Sequence, residues 1–512
     1  MATPMLGQFL TQINGFIKAG NETSLNDYLV LEPPFGPGYT QIISELRATY
    51  PAGNDAALEA KCAQLLPEAE KGDQGATWTA FIRYMVTYLG YLRDVSADQG
   101  QYRRTYELLS EVQGRVNSAL SHSTLGYLIL RTAITNARLV CRLAIGLDRH
   151  PELLGPLKTG GGGEEGGARE TLPEKAANTI RVAFTTALND RSGSQANGLD
   201  SNGQPEGRRK GVYALANLCL KILFQCKKTR NASQIFQNIT SNAPPLNAYP
   251  KAQQVTYLYY LGRFLWQNGH FGPSAKVLGR AWELCHAGSG TAKQRRSILI
   301  YLIASNLILG RFPSAALLSL PEAHGLSEKF MPMCLAIRSG NLLALRRHLD
   351  FNSEHAAWFL HFRLLLQLRN RCEVLAWRSL VRKVFLLKGT LPEAGSNKAA
   401  FLDLPLLVAA FRAVDSQKPA LDPEDKPDPD LEGTTDFDNK METGIDEYGI
   451  ISILSSLVDQ GLLRGFVAHK QQKLAILGSK NFGGNAVVAG FPAVWGVIGR
   501  KGGEGGVVGW KT

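Results

Sequence analysis

The residues best suited to bind another molecule are lysines and arginines in the C-terminal half of the chain. Residues 291–390 contain fifteen Lys and Arg against five Asp and Glu, within a chain of 512 residues whose net charge is +12. Because such a basic segment attracts phosphates, its composition favours a polyanionic partner. A solvated helical surface has the same composition, so both interpretations stay open at this point.

Two groups of cations have spacings that would bring their members together. Arg371, Arg378 and Arg382 are separated by seven and four residues, which places them on one face of a predicted helix, with Lys383 beside them. The second group lies on a predicted β-hairpin, whose turn can reach a phosphate backbone. Its members are Arg464, His469, Lys470 and Lys473. Five further cations would extend this predicted nucleic-acid-binding surface: Lys293, Arg295, Arg296, Arg346 and Arg347.

No motif of the sequence predicts catalysis. The stretch AGSGTAK around Gly288 lacks the spacing and the ending of a phosphate-binding loop, and neither G-x-S-x-G nor H-E-x-x-H occurs. His348, His355 and His361 are near one another in sequence, but no Cys or carboxylate stands at ligand spacing from them. We therefore expect no catalytic residues, no cofactor and no metal, and a protein that is not an enzyme.

The cysteines and the apolar runs bear on the location of the protein. Its seven cysteines are scattered, without zinc spacing or a paired framework, which favours a reducing compartment. The N-terminus has no basic start followed by an apolar core, so we expect no secretory signal. The longest apolar run, which begins at Ile298, is shorter than the roughly 18–20 residues that span a membrane.

Hydrophobic periodicity divides the chain into segments. The pattern is helical over 1–155, whereas 156–211 is predicted to form mobile Gly/Ser-rich loops around one short helix. Helical periodicity resumes over 212–372. In 373–478 three predicted helices precede two short runs rich in Val, Ile and Leu, and a disordered acidic insertion is predicted at 415–444.

Within 212–372 three similar turns indicate a helical repeat. Their glycines, Gly269, Gly310 and Gly340, can each close a helix in the left-handed conformation. The offsets resemble a tetratricopeptide pattern, but Ser274 replaces its usual alanine and the turns are unevenly spaced. We expect an irregular solenoid of stacked helix pairs, with unrelated helical hairpins as the alternative.

The predicted fold class is mainly α. A helical-repeat, tetratricopeptide-like solenoid is followed by a C-terminal winged helix, since three helices and then a hairpin is the order of that fold. The remaining residues, 479–512, are rich in glycine and are predicted to form a flexible tail.

This order of solenoid and winged helix, together with several stretches of sequence, resembles the PCI-domain family. The stretches are QQVTYLYYLGRFLWQNGHFGPSAKVLGRAWELCH, RRSILIYLIASNLILGRFP, SGNLLALRRHL, RSLVRKVFLL and IDEYGIISILSSLVDQGLLRGFVAHKQQKLAIL. They are similar to the branch that includes the Thp-one-like, signalosome-subunit-twelve-like and PCI-domain-containing-protein-two-like proteins, and we expect a fungal source. The similarity is dense over 212–477 and faint over 1–188.

The resemblance implies a scaffold subunit of a nuclear complex for messenger-RNA export or processing, like the TREX-two complex. It implies that the winged helix lies beside that of a second, larger PCI protein, and that the two form a basic platform for RNA or duplex DNA. It also implies a small acidic DSS-type protein, which the same cations could contact instead of nucleic acid. Localisation in the nucleus, and also in the cytoplasm, would follow.

Two other functional interpretations remain open from the sequence. The first is a signalosome-associated or splicing-linked PCI subunit, which would differ in partner more than in fold. The second is a cytosolic helical-repeat adaptor that binds peptides and no nucleic acid.

Overall fold

The computed structural model shows a mainly helical chain with one small sheet. Contacts divide it into two compact units, one ending at Phe264 and the other beginning at Leu265, so the boundary falls inside the predicted repeat segment 212–372. The predicted domain limits stay predictions. The structure describes residues 5–66, 78–95, 101–154, 171–191, 198–392, 399–415 and 446–501. The predicted acidic insertion lies outside these residues, except for Asp415.

Amphipathic helices build the first unit. Their bounds are α1 Met5–Lys18, α2 Glu22–Tyr28, α3 Pro37–Thr49, α4 Asp55–Leu65, α5 Thr79–Asp94, α6 Tyr102–Leu120, α7 Leu130–Arg149, α8 Leu172–Leu188, α9 Val212–Gln225, α10 Ala232–Asn242 and α11 Lys251–Gln267, of which the last continues into the second unit. Consecutive helices from α5 to α9 pack on one another. Their apolar faces bury the rings of Tyr84, Tyr88 and Phe184. This packing between neighbours in sequence is that of a helical repeat.

The segment predicted to form mobile loops, 156–211, contains more structure than expected. After α8, the buried carboxylate of Asp190 accepts a hydrogen bond from the Arg208 guanidinium at 2.6 Å and another from the Arg208 backbone N–H at 2.8 Å. The buried ion pair and the additional hydrogen bond attach residues 198–211 to the chain that follows α8, while the predicted mobility of this segment stays a prediction. The other glycine-rich stretches of this segment lie outside the described residues.

Helices also form most of the second unit. Their bounds are α12 Phe271–Leu284, α13 Ala292–Ile308, α14 Ala315–Leu318, α15 Leu326–Ser339, α16 Leu342–His348, α17 Ala356–His361 and α18 Leu365–Lys388. Helix α12 packs on α13 and α15 on α16, while α13, α15 and α16 all contact the long helix α18. Across the described ranges, no helix has both the length and the apolar character needed to cross a membrane.

Three turns of the second unit share one hydrogen-bond pattern. Gly269, Gly310 and Gly340 have φ angles of 79°, 76° and 72°, the left-handed conformation that the sequence predicts for them. In each turn the residue after the glycine donates its N–H to the carbonyl five residues earlier, as His270 does to Leu265 at 2.9 Å. The glycines therefore end α11, α13 and α15 in the same way, and their predicted role as helix terminators is confirmed.

After α18 the second unit has the element order of a winged helix. The elements are β1 Ala400–Asp403, α19 Leu404–Asp415, α20 Glu447–Asp459, β2 Gly465–Ala468 and β3 Lys473–Ile476. The strands form one antiparallel sheet in the order β1-β3-β2, in which Leu474 pairs with both Leu402 and Val467. The predicted hairpin is confirmed, and so is the fold class, mainly α with helical repeats and a C-terminal winged helix.

Strand β1 differs from the sequence expectation. The sequence pattern predicts a short helix over 402–414 with Asp403 as a possible cap; the helix begins at Leu404, and residues 400–403 pair with β3. Thr390 adds two backbone hydrogen bonds with Phe401, at 2.9 and 3.0 Å. Because the β3 partners lie 70 to 76 residues away, the strand is stabilised by tertiary pairing and not by local propensity.

The first part of the segment predicted to be a flexible tail, 479–512, forms short helices that pack on the second unit. Phe491 and Val497 are buried, and a Cβ placed on Gly310 would lie only 2.7 Å from the Cβ of Val494. This part of the chain therefore packs on the turn after α13. Its elements are a 3-10 turn Ser479–Phe482, helix α21 Ala486–Gly490 and helix α22 Val494–Lys501. The last eleven residues lie outside the described part of the chain.

Candidate functional site

Arg378 fixes the junction between α18 and the C-terminal segment. Its guanidinium donates hydrogen bonds to the carbonyl oxygens of Leu462 at 3.3 Å, Phe491 at 3.0 Å and Pro492 at 2.7 Å. The ring of Phe491 also packs on that of Phe385, with centroids 5.9 Å apart. Hydrogen bonds from a charged donor are the stronger kind. Arg378 therefore holds both the turn after α20 and the segment after α21 against α18, and we call this contact the Arg378 clamp.

The burial of Arg378 affects its protonation as well as its contacts. Desolvation, with a smaller contribution from the neighbouring Arg382, lowers the pKa of Arg378 to about 10. The side chain is still charged at neutral pH, but protein carbonyls already accept its hydrogen bonds. The structure thus gives Arg378 a positioning role that the sequence does not predict, and its contact with a phosphate stays a prediction.

A groove of about 680 Å³ opens beside the Arg378 clamp. Among the described residues, its lining contains five cations and no Asp or Glu. The cations are Arg338, Arg378, Arg382, Lys383 and Arg464. Four of the eight predicted nucleic-acid-binding residues are therefore brought together in what we call the basic groove.

The rest of the basic groove is mainly apolar. Leu386, on α18, is 53% exposed, while Phe482 and Val488, from the C-terminal segment, are 42% and 50% exposed. Half-exposed apolar side chains beside cations leave surface that a partner could bury. The groove can therefore offer both charge and apolar contact to a ligand.

Arg464 combines a fixed backbone with an exposed side chain. Its N–H donates to the carbonyl of Gly490 at 2.8 Å, and its own carbonyl accepts from the N–H of Leu477 at 3.1 Å. The central guanidinium carbon lies 6.0 Å from the centroid of the Phe482 ring. These backbone bonds keep the cation next to that ring.

The turn of the predicted hairpin carries three basic residues that do not line the basic groove. His469 and Lys470 are exposed on the turn, and Lys473, at the start of β3, has its ammonium nitrogen 4.0 Å from the centre of an aromatic ring. Gln472 ends the turn with a φ of 50°, and its side-chain amide donates to the carboxylate of Glu447 at 3.0 Å. The turn is thus anchored to α20, and nucleic-acid contact by its three basic residues stays a prediction.

Arg371 lies on a different surface from Arg378 and Arg382. It lines a second cavity of about 680 Å³, together with Gln367, Asn370 and Gln460. The spacing predicts that these three arginines share one helical face. Because other elements pack on α18, Arg371 lines one cavity and Arg378 and Arg382 line another.

The residues predicted to extend the basic surface are largely engaged inside the protein. Arg295 is 8% exposed, forms an ion pair with Glu322 at 2.5 Å and stacks on an indole ring at 3.8 Å. Arg296 donates to the carbonyl oxygen of Glu322 at 2.9 Å, and Arg346 forms an ion pair with Glu373. Arg295 is thus a core residue of α13. The remaining two cations, on α13 and α16, stay predictions.

The clustered histidines pack against protein groups. His348 and His355 have ring centroids 5.6 Å apart, and Nε2 of His348 lies 2.7 Å from the carbonyl oxygen of Lys329. Burial lowers the pKa of His348 below its usual value. Within the described ranges, no group of three or more His, Cys, Asp or Glu residues is arranged to hold a metal ion.

Several groove residues were not singled out from the sequence, among them Arg338, Phe482 and Val488. Arg338 lies in the basic segment but has no distinctive spacing, while Phe482 and Val488 lie in the predicted tail. One local signal was present: Asn485 precedes an apolar run, and its side chain caps α21 by accepting from the N–H groups of Val487 and Val488.

The chain is similar to known proteins along almost its whole length. It is 25% identical over 490 residues to a PCI domain-containing protein of Schizosaccharomyces pombe, covering 95% of this chain and 96% of that protein. The chain is homologous to PCI-domain proteins. No protein-family model matches it.

Two further relatives support the homology to PCI-domain proteins. The chain is 30% identical over 220 residues to the protein CSN12 homolog of Neurospora crassa, and 27% identical over 303 residues to PCI domain-containing protein 2 of Xenopus laevis. These matches cover 42% and 59% of the chain, and 45% and 62% of the two relatives, so the chain spans about half of their length. The resemblance found in the sequence is confirmed, and the fungal relatives agree with the expected fungal affinity.

The Arg378 clamp generates a prediction about stability. Replacing Arg378 by Ala leaves three carbonyls without their donor, so we expect the free energy of unfolding to fall by roughly 2–3 kcal/mol and the melting temperature by roughly 4–12 °C. Thermal unfolding followed by circular dichroism measures this change. The control is Arg382→Ala on the same helix, which is exposed and should change stability by less than about 0.5 kcal/mol. Equal melting temperatures for the two variants would contradict the clamp.

Proposed function

We propose that the chain is a non-enzymatic PCI scaffold subunit of a nuclear complex for messenger-RNA export or processing, similar to TREX-two. In this role it contributes a nucleic-acid-binding surface, and the basic groove is the observation that carries the proposal. The homology to PCI-domain proteins supports a scaffold, while the groove supplies the chemistry for a polyanion.

The charge arrangement of the basic groove supports phosphate binding. Arg382 and Lys383 are adjacent and exposed at the end of α18, and Arg464 and Arg338 are exposed on other elements of the same lining. Like charges held this close repel each other, so an anionic ligand would stabilise them. Contacts of this kind go to the phosphate backbone and carry no sequence information directly, so binding would be sequence-independent.

The winged helix also has surface suited to a protein partner. Strand β2 is at one edge of the sheet, and its Phe466 is 51% exposed, while Tyr448 at the start of α20 is 76% exposed. Exposed edges and large apolar side chains of this kind favour protein contacts. We propose that a second, larger PCI protein binds here, and that a small acidic DSS-type protein contacts basic surface of the helical repeats.

The names of two relatives favour the alternative of a signalosome-associated or splicing-linked PCI subunit. Proteins of Neurospora crassa and Gibberella zeae that are similar to this chain are named CSN12 homolog. A signalosome-associated or splicing-linked PCI subunit is therefore the second candidate, with the same fold and a different assembly.

The phosphate-binding role predicts a loss of affinity on charge reversal. Replacing Arg382, Lys383 and Arg464 by Glu should weaken binding of a single-stranded RNA by roughly tenfold or more, and should reduce the slope of log K against log salt by about 2. Fluorescence anisotropy at several salt concentrations measures both quantities.

The control reverses three exposed cations of the first unit, Arg104, Arg115 and Arg138, and so changes the net charge by the same amount. The control protein should keep both the affinity and most of the slope. If the two triple variants lose affinity equally, the basic groove is not the binding site.

The proposed complex predicts which proteins accompany the chain in cells. Affinity purification of the tagged full chain followed by mass spectrometry should recover a larger PCI protein of an export complex and a small acidic protein, and the tagged chain should be found in the nucleus. Recovery of signalosome subunits without an export-type PCI protein would instead support the second candidate.

A further inference from the structure

The basic groove contains exposed apolar side chains, which the binding of duplex phosphates does not require. Cations alone are enough to bind a phosphate backbone. Yet Phe482, Val488 and Leu386 are 42%, 50% and 53% exposed among those cations. A duplex keeps the faces of its bases stacked inside, whereas a single strand can place a base face on an aromatic ring.

The ring of Phe482 is held on a firm support. It ends the 3-10 turn that begins at Ser479, and the turn is closed by Gly484, whose N–H donates to the carbonyl of Ser479 at 2.9 Å. The glycines on either side, Gly478 and Gly483, have φ angles of 82° and 60°, which residues with a Cβ rarely adopt. Because these bonds fix the backbone, less backbone entropy is lost when a ligand packs on the ring.

The neighbours of this ring match the alternation of base and phosphate along a strand. The guanidinium of Arg464 lies over the ring of Phe482, 6.0 Å from its centroid, so a base that packs on the exposed part of the ring would have its phosphate near that cation. Arg382 and Lys383 line the same groove and are exposed, so they can hold the next phosphates. The volume of about 680 Å³ is within the range of small-ligand sites, which is suited to a short stretch of strand.

An acidic peptide with apolar side chains is the competing occupant. The lining cations outnumber the exposed apolar side chains, and one of the latter is a planar ring beside a guanidinium. This combination fits successive nucleotides better than the side chains of a peptide, whose helix would need a continuous apolar stripe.

We propose that the basic groove selects single-stranded over duplex nucleic acid, with one base stacked on Phe482 and the flanking phosphates on Arg464, Arg382 and Lys383. The proposal rests on the proposed nucleic-acid-binding function and adds the class of strand and the residue that recognises it. Phe482 acts here as a binding residue that contacts a base.

The test compares the full chain with its Phe482→Leu variant, which keeps an apolar side chain but removes the ring. Binding is measured by fluorescence anisotropy to a mixed-sequence single-stranded 20-mer, its duplex, and a single strand with abasic sites in place of its bases. The wild-type chain should prefer the single strand to the duplex. Phe482→Leu should weaken single-strand binding roughly 5- to 100-fold, while affinity for the duplex and the abasic strand changes less than about twofold.

Two controls separate stacking from damage to the fold. Phe482→Trp should restore or strengthen single-strand binding, because an indole stacks at least as well as a phenyl ring. Phe351→Leu removes another half-exposed ring, between α16 and α17 and outside the groove lining, and should leave all three affinities unchanged.

The outcomes distinguish this inference from the proposed function. If the wild-type chain binds single strand and duplex equally, or if Phe482→Leu weakens all three probes alike, base stacking is overturned while nucleic-acid binding stands. If no probe binds but a poly-glutamate peptide does, both the inference and the nucleic-acid role are wrong.

Discussion

The hydrogen bonds of a single arginine determine where the C-terminal elements lie. The guanidinium of Arg378 spans from α18 to carbonyl oxygens of Leu462, Phe491 and Pro492, more than eighty residues further along the chain. The buried ring of Phe491 packs beside it, so polar and apolar contacts act at the same point. Without this contact, the segment that carries Phe482 and Val488 would be held less firmly along α18. The basic groove would then lose one of its sides.

The same arrangement concentrates positive charge. Arg378 is surrounded by protein carbonyls, but Arg382 is close enough to contribute to its lowered pKa. The described part of the groove lining contains no carboxylate to offset these cations. By contrast, Arg295 and Arg346 in the same basic segment have Glu322 and Glu373 as partners. Among the described residues, cations without a carboxylate in one groove, next to cations paired with carboxylates elsewhere, are the pattern expected where a ligand supplies the missing anion.

Most of the fold could be predicted from local sequence signals, since each depends on only a few neighbouring residues. Gly269 and the other turn glycines act within their own turns, and the hairpin pairs four residues on each side of its turn. Strand β1 was missed because its pairing partners lie far along the chain, and the C-terminal segment because its glycines suggested a tail. The role of Arg378 could not be predicted, since helical spacing specifies a face but not the element that will cover it. The sequence correctly grouped Arg382 with Lys383. It also placed Arg371 with them, but in the structure Arg371 lines a different cavity.

Photo-crosslinking tests the central claim most directly. A single-stranded RNA containing 4-thiouridine would be bound to the full chain, irradiated and digested, and the crosslinked peptides identified by mass spectrometry. The account predicts crosslinks in the peptides that contain Arg382 to Leu386 and Asn481 to Phe491, the two walls of the basic groove. Crosslinks confined to peptides of the first unit, or distributed evenly over all basic peptides, would contradict it.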